Sequence, residues 1–332
     1  METKKNILLT LRKIYKTYFK YFKSKSFSQK YLIENNVINE PDKASEIISK
    51  IIIKNKPTLI TRFGRTEFNI VLNYLSLNKK KINYLDFIFG KQFENWWHQP
   101  LIDQICNWSG FFPKNTKYLE KFSLIYLKLL KEIDVIGVVT ANPYIEKFFA
   151  NEIKNANKLN IFDLGGFHSQ RSWVKSLENK NVLIIHPFDE TIKNQYLIRD
   201  KIFKDNYLPN FNLKTIKAVQ TIGGYNKNFN DWFEALEIMK NKMSQIDFDI
   251  ALIGCGAYGF PLAAHAKKIG KIGFHLGGEL QLLFGIIGKR YEDPNHRNYF
   301  PYKYGLVNKY WKRPLEIERP SNFKNLEDGC YW

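Results

Sequence analysis

The chain is short of acid, of cysteine and of long apolar runs, and each shortage removes a class of function. It has three cysteines, Cys106, Cys255 and Cys330, in 332 residues. An odd number spread this widely makes no disulfide framework and implies a reducing compartment. The histidines at 98, 168, 186, 265, 275 and 296 stand apart from one another and from the cysteines, so zinc spacing is absent and no metal ligand set is expected. Nowhere do roughly 20 apolar residues run together, as a bilayer-spanning helix requires. Charges interrupt residues 1–25 every few positions, so this is no secretory signal. The expected location is cytoplasmic, with peripheral attachment at the inner face of the plasma membrane left open.

The shortage of acid leaves 51 Lys and Arg against 32 Asp and Glu, a formal charge of +19. Such a balance draws anionic partners: nucleic acid, anionic lipid or phosphorylated substrates. Nucleic acid is not expected, because aromatics are not interleaved with the basic residues and no recognised module is present. Residues 1–25 alone hold +7 of the charge. Ile7, Leu8, Leu11, Ile14, Tyr15, Tyr18, Phe19 and Phe22 recur there at spacings of three and four, which makes one helical face. Two readings stay open: a basic helix lying in the headgroups of an anionic membrane, or one that packs its stripe on the body and leaves lysines in water.

Hydrophobic residues at 44% and aromatics at 16% exclude a disordered chain. Apolar runs at 58–63, 135–139, 161–166, 181–185, 213–221, 249–253 and 271–276 read as strands. Helical periodicity separates them at 43–53, 67–77, 118–131, 142–155, 173–177, 195–203, 230–246 and 261–269, while 87–113 reads as aromatic and irregular. This alternation predicts an α/β, Rossmann-like domain, a mainly parallel sheet with helices on both faces. The expected organisation is a basic helix and linker (1–56), the Rossmann-like domain (57–292) and an aromatic extension packed on it (293–332).

The densest signal is Gly254-Cys255-Gly256-Ala257-Tyr258-Gly259, which follows a buried strand and opens a small-residue helix. The spacing satisfies G-x-G-x-x-G, a turn that aims a helix N-terminus at an anion. A nicotinamide dinucleotide would need an acid at the tip of the next strand, but that strand runs through His275 into Gly277-Gly278, with Glu279 beyond them. A phosphate cradle for another nucleotide fits better, and a purely structural glycine turn is the plain alternative. At the first strand, Arg62-Phe63-Gly64-Arg65-Thr66-Glu67 makes a second strand-to-helix turn suited to a ligand.

With residues 182–188 and 249–278, that turn resembles the bacterial glycosyltransferases of the GT-D fold, a family once catalogued as a domain of unknown function near polysaccharide gene clusters. The resemblance covers roughly residues 58–278. It implies a Rossmann-like domain that binds a nucleotide-activated sugar, typically a UDP-sugar, and transfers the sugar to a glycan or lipid-linked acceptor in surface polysaccharide assembly. In the family, an R-F-G-D-G-E turn supplies a D-x-E pair that holds a divalent metal on the diphosphate. Glu67 matches the second carboxylate and Arg65 stands at the first. One carboxylate seldom retains Mg²⁺ or Mn²⁺. The expectation is therefore a guanidinium on the leaving group and no required metal, with a binding-only domain as the other outcome.

The expected catalytic residues are Glu67 as base, Arg65 and His186; Glu67 reads equally as a helix N-terminal carboxylate. The expected nucleotide contacts are Arg62, Gly64, Gly254, Gly256, Tyr258, Gly259, His275, Gly277 and Gly278. His186 and His275 can each serve as base or nucleotide contact or be structural. Trp96, Trp97 and Trp108 are a candidate sugar platform or simply core.

Overall fold

The computed structural model describes residues 2–79, 83–221, 228–295, 297–321, 323–325 and 329–332. His296 lies outside them. The strands are β1 (Thr58–Arg62), β2 (Val135–Val138), β3 (Asn157–Asn160), β4 (Asn181–His186), β5 (Asn212–Lys217), β6 (Ile250–Ile253) and β7 (Ile272–His275). They pair in parallel as one seven-stranded sheet in the order β3-β2-β1-β7-β6-β4-β5, giving an α/β Rossmann-like fold. The central strands β1, β2, β4, β6 and β7 are buried on both faces, which is why they read as mostly apolar runs.

The helices are α1 (Glu2–Phe22), α2 (Ser24–Glu34), α3 (Pro41–Lys54), α4 (Arg65–Leu77), α5 (Tyr84–Ile88), α6 (Gln99–Ser109), α7 (Thr116–Leu129), α8 (Asp189–Leu197), α9 (Arg199–Ile202), α10 (Trp232–Ser244), α11 (Gly259–Lys268) and α12 (Phe300–Lys303). One core holds Phe68 of α4, Phe122 of α7, Leu236 of α10 and Leu262 of α11 against one face of the sheet. The other holds Ile48 of α3, Ile192 of α8 and Leu280 and Leu283 of the turn Gly277–Phe284. So the chain leaves β1 and β6 toward the first face, and leaves β4 and β7 toward the second. Since β1 neighbours β7 and β6 neighbours β4, the backbone parts at both junctions, and a crevice opens above the carboxyl ends of the strands.

Several expected elements differ. The third strand lies at Asn157–Asn160, and Ile161–Asp163 is a 3₁₀ turn. Ile38 bridges to Leu159 and covers this polar edge, so it needs no apolar run of its own. Residues 142–155 make one 3₁₀ turn, Glu146–Phe149, instead of a helix. Residues 87–113, expected as irregular, contain α6, which starts with Pro100 in its first turn and ends at Gly110 with φ of +78°. The α4 helix begins at Arg65, which puts Arg65 and Glu67 inside its first turn.

The C-terminal residues fold back over the crevice. Ile286 bridges to Lys312, the Arg290 amide donates to the Cys330 carbonyl, and Trp332 lies edge-on to Phe188 at 5.5 Å. At the other end of the chain Arg12 is buried, donating to the Gln92 carbonyl at 3.0 Å and lying 3.7 Å from Glu94 and 4.4 Å above the Phe87 ring. With Leu8 and Tyr15, it seats α1 against α5. All three cysteines are reduced and buried.

Candidate functional site

Two adjoining cavities occupy the crevice. The larger, about 370 Å³, lies over the β1–β7 junction and is lined by Arg62, Gly64, Arg65, Thr66, Glu67, Gly256, His275, Gly277 and Gly278, together with Glu279 and Arg290. The smaller, about 90 Å³, lies over the β6–β4 junction and is lined by His186, Gly254, Gly256, Tyr258 and Gly278 among aromatic walls that include Phe188 and Trp332. Trp108, Ser109, Gly256, Gly278 and Tyr331 face both. The two strand-end turns singled out in the sequence therefore meet at one place. Gly259 lines neither cavity.

Each side chain is held by identifiable means. Gly64 is the N-cap of α4, and Glu67, in the first turn, folds back over it: a β-carbon at 64 would lie 1.9 Å from Glu67 Oε2. The missing side chain at Gly64 leaves room for the carboxyl, which takes its own backbone amide. Burial pushes the Glu67 pKa up, against the opposing pull of its own amide, the Ser109 hydroxyl and the Arg62 charge. Ser109, the last residue of α6, was not foreseen; only the helix end Ser109-Gly110 marked it in the sequence.

Arg65 is exposed at the first position of α4. A cation there opposes the positive end of the helix dipole, so local helix energetics do not explain it. Arg62 lies alongside Gly277, whose β-carbon would be 3.7 Å from Arg62 Cδ; the φ of +67° at Gly277 is left-handed and suits glycine. Neither guanidinium forms a salt bridge or a side-chain hydrogen bond among the described residues.

The glycine loop is filled from within as much as it is open. A β-carbon on Gly259 would lie 2.3 Å from His275 Cδ2, and one on Gly254 would lie 2.9 Å from His186 Cδ2 and 2.6 Å from the Gly277 carbonyl oxygen. Gly256, with φ of +56°, lets the loop pass close to Ser109, since a β-carbon there would lie 2.7 Å from the Ser109 carbonyl oxygen. Tyr258 stacks on Trp232 with centroids 5.2 Å apart and meets the Thr221 hydroxyl at 3.1 Å, so its ring is a core element whose edge reaches the smaller cavity. Of the three candidate platform tryptophans, only Trp108 faces the cavities; Trp96 packs on Phe87, and Trp97 packs against the core.

Both crevice histidines are neutral at physiological pH. His186 Nδ1 accepts the Phe188 amide at 3.0 Å, which leaves the proton on Nε2, and burial holds its pKa down at about 3. His275 Nδ1 lies 3.3 Å from the Thr61 hydroxyl; burial, then the Arg62 charge, lowers its pKa to about 3. A histidine depressed from its ordinary value near 6.5 contributes stability above that value, and loses it as pH falls toward the folded-state pKa. Each is expected to cost about 2 kcal/mol when pH is lowered to about 5. Calorimetric midpoints should fall over that interval, and fall about half as steeply with pH in a His186→Asn variant, whose Oδ1 keeps an acceptor beside the Phe188 amide. Midpoints that do not move with pH would show these rings to be solvated.

Among the described residues no helix is long and apolar enough to cross a membrane. A family model described as GT-D-like, a GT-D fold-like domain, matches residues 40–283. No curated protein and no solved structure matches the chain.

Proposed function

The chain belongs to the GT-D-like family, and from that premise we propose that it is a glycosyltransferase that moves a sugar from a nucleoside-diphosphate sugar, a UDP-sugar by family resemblance, to a hydroxyl of a glycan or lipid-linked acceptor in surface polysaccharide assembly. The observation that carries this reading is the pair Arg62 and Arg65. Two guanidinium groups that form no salt bridge among the described residues open onto a cavity large enough for a diphosphate and a sugar ring. Paired cations lining a crevice favour a multiply charged anion.

In the transfer, the acceptor oxygen bonds to the anomeric carbon as the bond from that carbon to the diphosphate oxygen breaks. The electron pair leaves with the diphosphate, and the hydroxyl proton passes to a base. Arg62 and Arg65 neutralise the charge that builds on the leaving group. Glu67 is the preferred base, because burial raises its pKa, whereas His186 and His275, with pKa values of about 3, bind a proton poorly at neutral pH. Glu279 is the other acid lining the same cavity.

The divalent ion of the family's D-x-E turn does not fit these residues. Glu67 is turned onto Gly64 and Ser109, Arg65 puts a positive charge where the first carboxylate would be, and no group of three or more His, Cys, Asp or Glu that could hold a metal occurs among the described residues. The reading is accordingly metal-free. UDP or GDP should raise the melting temperature equally with and without Mn²⁺, while NAD has no effect. Stabilisation by NAD alone would replace the transferase with an oxidoreductase using the glycine loop, and stabilisation by the nucleotide without turnover of any sugar donor would leave a binding domain.

A further inference from the structure

The helix α1 has two apolar faces, and only one is used. Leu8 and Arg12 are buried and Tyr15 and Phe19 half-buried, and they turn toward the body, where Tyr15 meets Phe89 edge-on at 5.1 Å and Phe19 meets Phe27 at 5.7 Å. The remaining members of the expected stripe do not pack. Ile7, Leu11, Ile14, Tyr18 and Phe22 are 56%, 43%, 62%, 47% and 72% exposed, at spacings of four and three that keep them in one line along the helix. Leu85 and Phe89, on and just after α5, extend the same apolar surface from the neighbouring element, at 62% and 43% exposed. A line of large apolar side chains this exposed marks a contact surface.

We propose that this outward stripe of α1 docks the protein on an anionic membrane surface, with Ile7, Leu11, Ile14, Tyr18 and Phe22 in the acyl boundary and the lysines of the helix among the headgroups. Charge selects this occupant. Residues 1–25 carry Lys4, Lys5, Arg12, Lys13, Lys16, Lys20, Lys23 and Lys25 against Glu2, and of these only Arg12 is buried with an acidic partner, Glu94. A second copy of the chain would set two such lysine rows against each other, which is repulsive, whereas anionic lipid attracts them. Tyr and Phe beside Ile and Leu suit the interface, where rings sit at headgroup level. The docking is also rigid, because Arg12 bolts the inner face of the helix to Gln92, Glu94 and Phe87. The inference stands on the helix alone and does not need the transferase reading.

The test is co-sedimentation of the full chain with vesicles of phosphatidylcholine alone and with added phosphatidylglycerol. Binding is expected only with the anionic lipid, and is expected to weaken steeply with salt. A triple Ile7→Ser, Ile14→Ser, Phe22→Ser variant should lose at least about tenfold in partitioning, with an unchanged melting temperature and unchanged nucleotide-induced stabilisation. A Lys4→Gln, Lys13→Gln, Lys20→Gln variant should lose the preference for anionic lipid while keeping its fold. Wild-type protein that stays in the supernatant, or a serine variant that binds as well as wild type, overturns the proposal. So does a dimer seen by light scattering that the serine variant dissolves, since the stripe would then be covered by a second copy.

Discussion

Replacing Arg62 and Arg65 together by alanine is expected to weaken binding of a nucleoside diphosphate by roughly 10² to 10⁴-fold, as read by calorimetric titration, while the melting temperature of the free protein changes little. The magnitude follows from two charge-assisted contacts to phosphate, each contributing about 1.5–3 kcal/mol. The small effect on stability follows from their surroundings: Arg65 is exposed at an unfavourable helix end, and neither side chain has a salt-bridge partner among the described residues. Arg65→Lys should recover only part of the loss, because an ammonium is a point charge and cannot make the planar two-pronged contact of a guanidinium. Chelator should leave wild-type binding intact. If chelator removes it, the arginines are not standing in for a metal, and the proposed leaving-group chemistry is wrong. If the double alanine variant binds as tightly as wild type, the diphosphate is elsewhere.

The largest expected effect on folding comes from a position with no part in binding. Gly273 sits in β7, paired with Leu59 of β1 and Ala251 of β6, at the point where α11 crosses the sheet. A β-carbon there would lie 2.0 Å from the carbonyl oxygen of Ala263. The obstacle is backbone, so no side-chain rotation relieves it; either the helix lifts off the sheet or the strand moves. Gly273→Ala should therefore reach or exceed the upper end of overpacking costs, about 3 kcal/mol, with a matching drop in the denaturation midpoint or loss of soluble protein. Gly270→Ala is the contrast. Gly270 has φ of +84° but nothing within 4 Å of its would-be β-carbon, so only backbone strain of about 1–2 kcal/mol is expected. Equal effects at the two positions would mean that α11 is not seated on the strand as closely as described.

The parts of the fold that were legible share a physical cause. The strands β1, β2, β4, β6 and β7 are buried on both faces, so their residues are mostly apolar, and such runs can be read from the chain. The edge strand β3 has no such requirement. Its residues Asn157, Lys158, Leu159 and Asn160 meet the sheet on one side and the Ile38 segment on the other, and the apolar Ile161 and Phe162 beside it drew the expected strand too far along. The helix Gln99–Ser109 was hidden by Trp96 and Trp97 before it and Phe111 and Phe112 after it, although Pro100 marked its start and Gly110 its end. At residues 142–155, Asn142-Pro143 suggested a helix start, but the segment turns over the crest of β2 and the Glu146 carboxylate takes the Val139 amide.

The site was legible as a set of turns and not as a geometry. Arg62, Gly64, Arg65 and Glu67 could be placed at a strand-to-helix turn because four of six neighbouring residues are charged or glycine. That this turn shares a cavity with Gly256, His275, Gly277 and Gly278 depends on β7 lying between β1 and β6, a neighbour relation between segments some two hundred residues apart in sequence. Tyr331, which faces both cavities, arrives from the far end of the chain and carried no motif.

Local pattern determined the alternation of buried strands and crossover helices, the basic amphipathic N-terminal helix and the glycine turns, because periodicity, charge and backbone freedom act over a few residues. Tertiary structure alone decided that His186 and His275 fill the spaces beside Gly254 and Gly259, that Arg12 turns inward while Ile14 and Phe22 stay out, and that two arginines form no salt bridge among the described residues. Those outcomes depend on which distant surfaces come together, and solvent exclusion acts on the assembled surface, not on the order of residues along the chain.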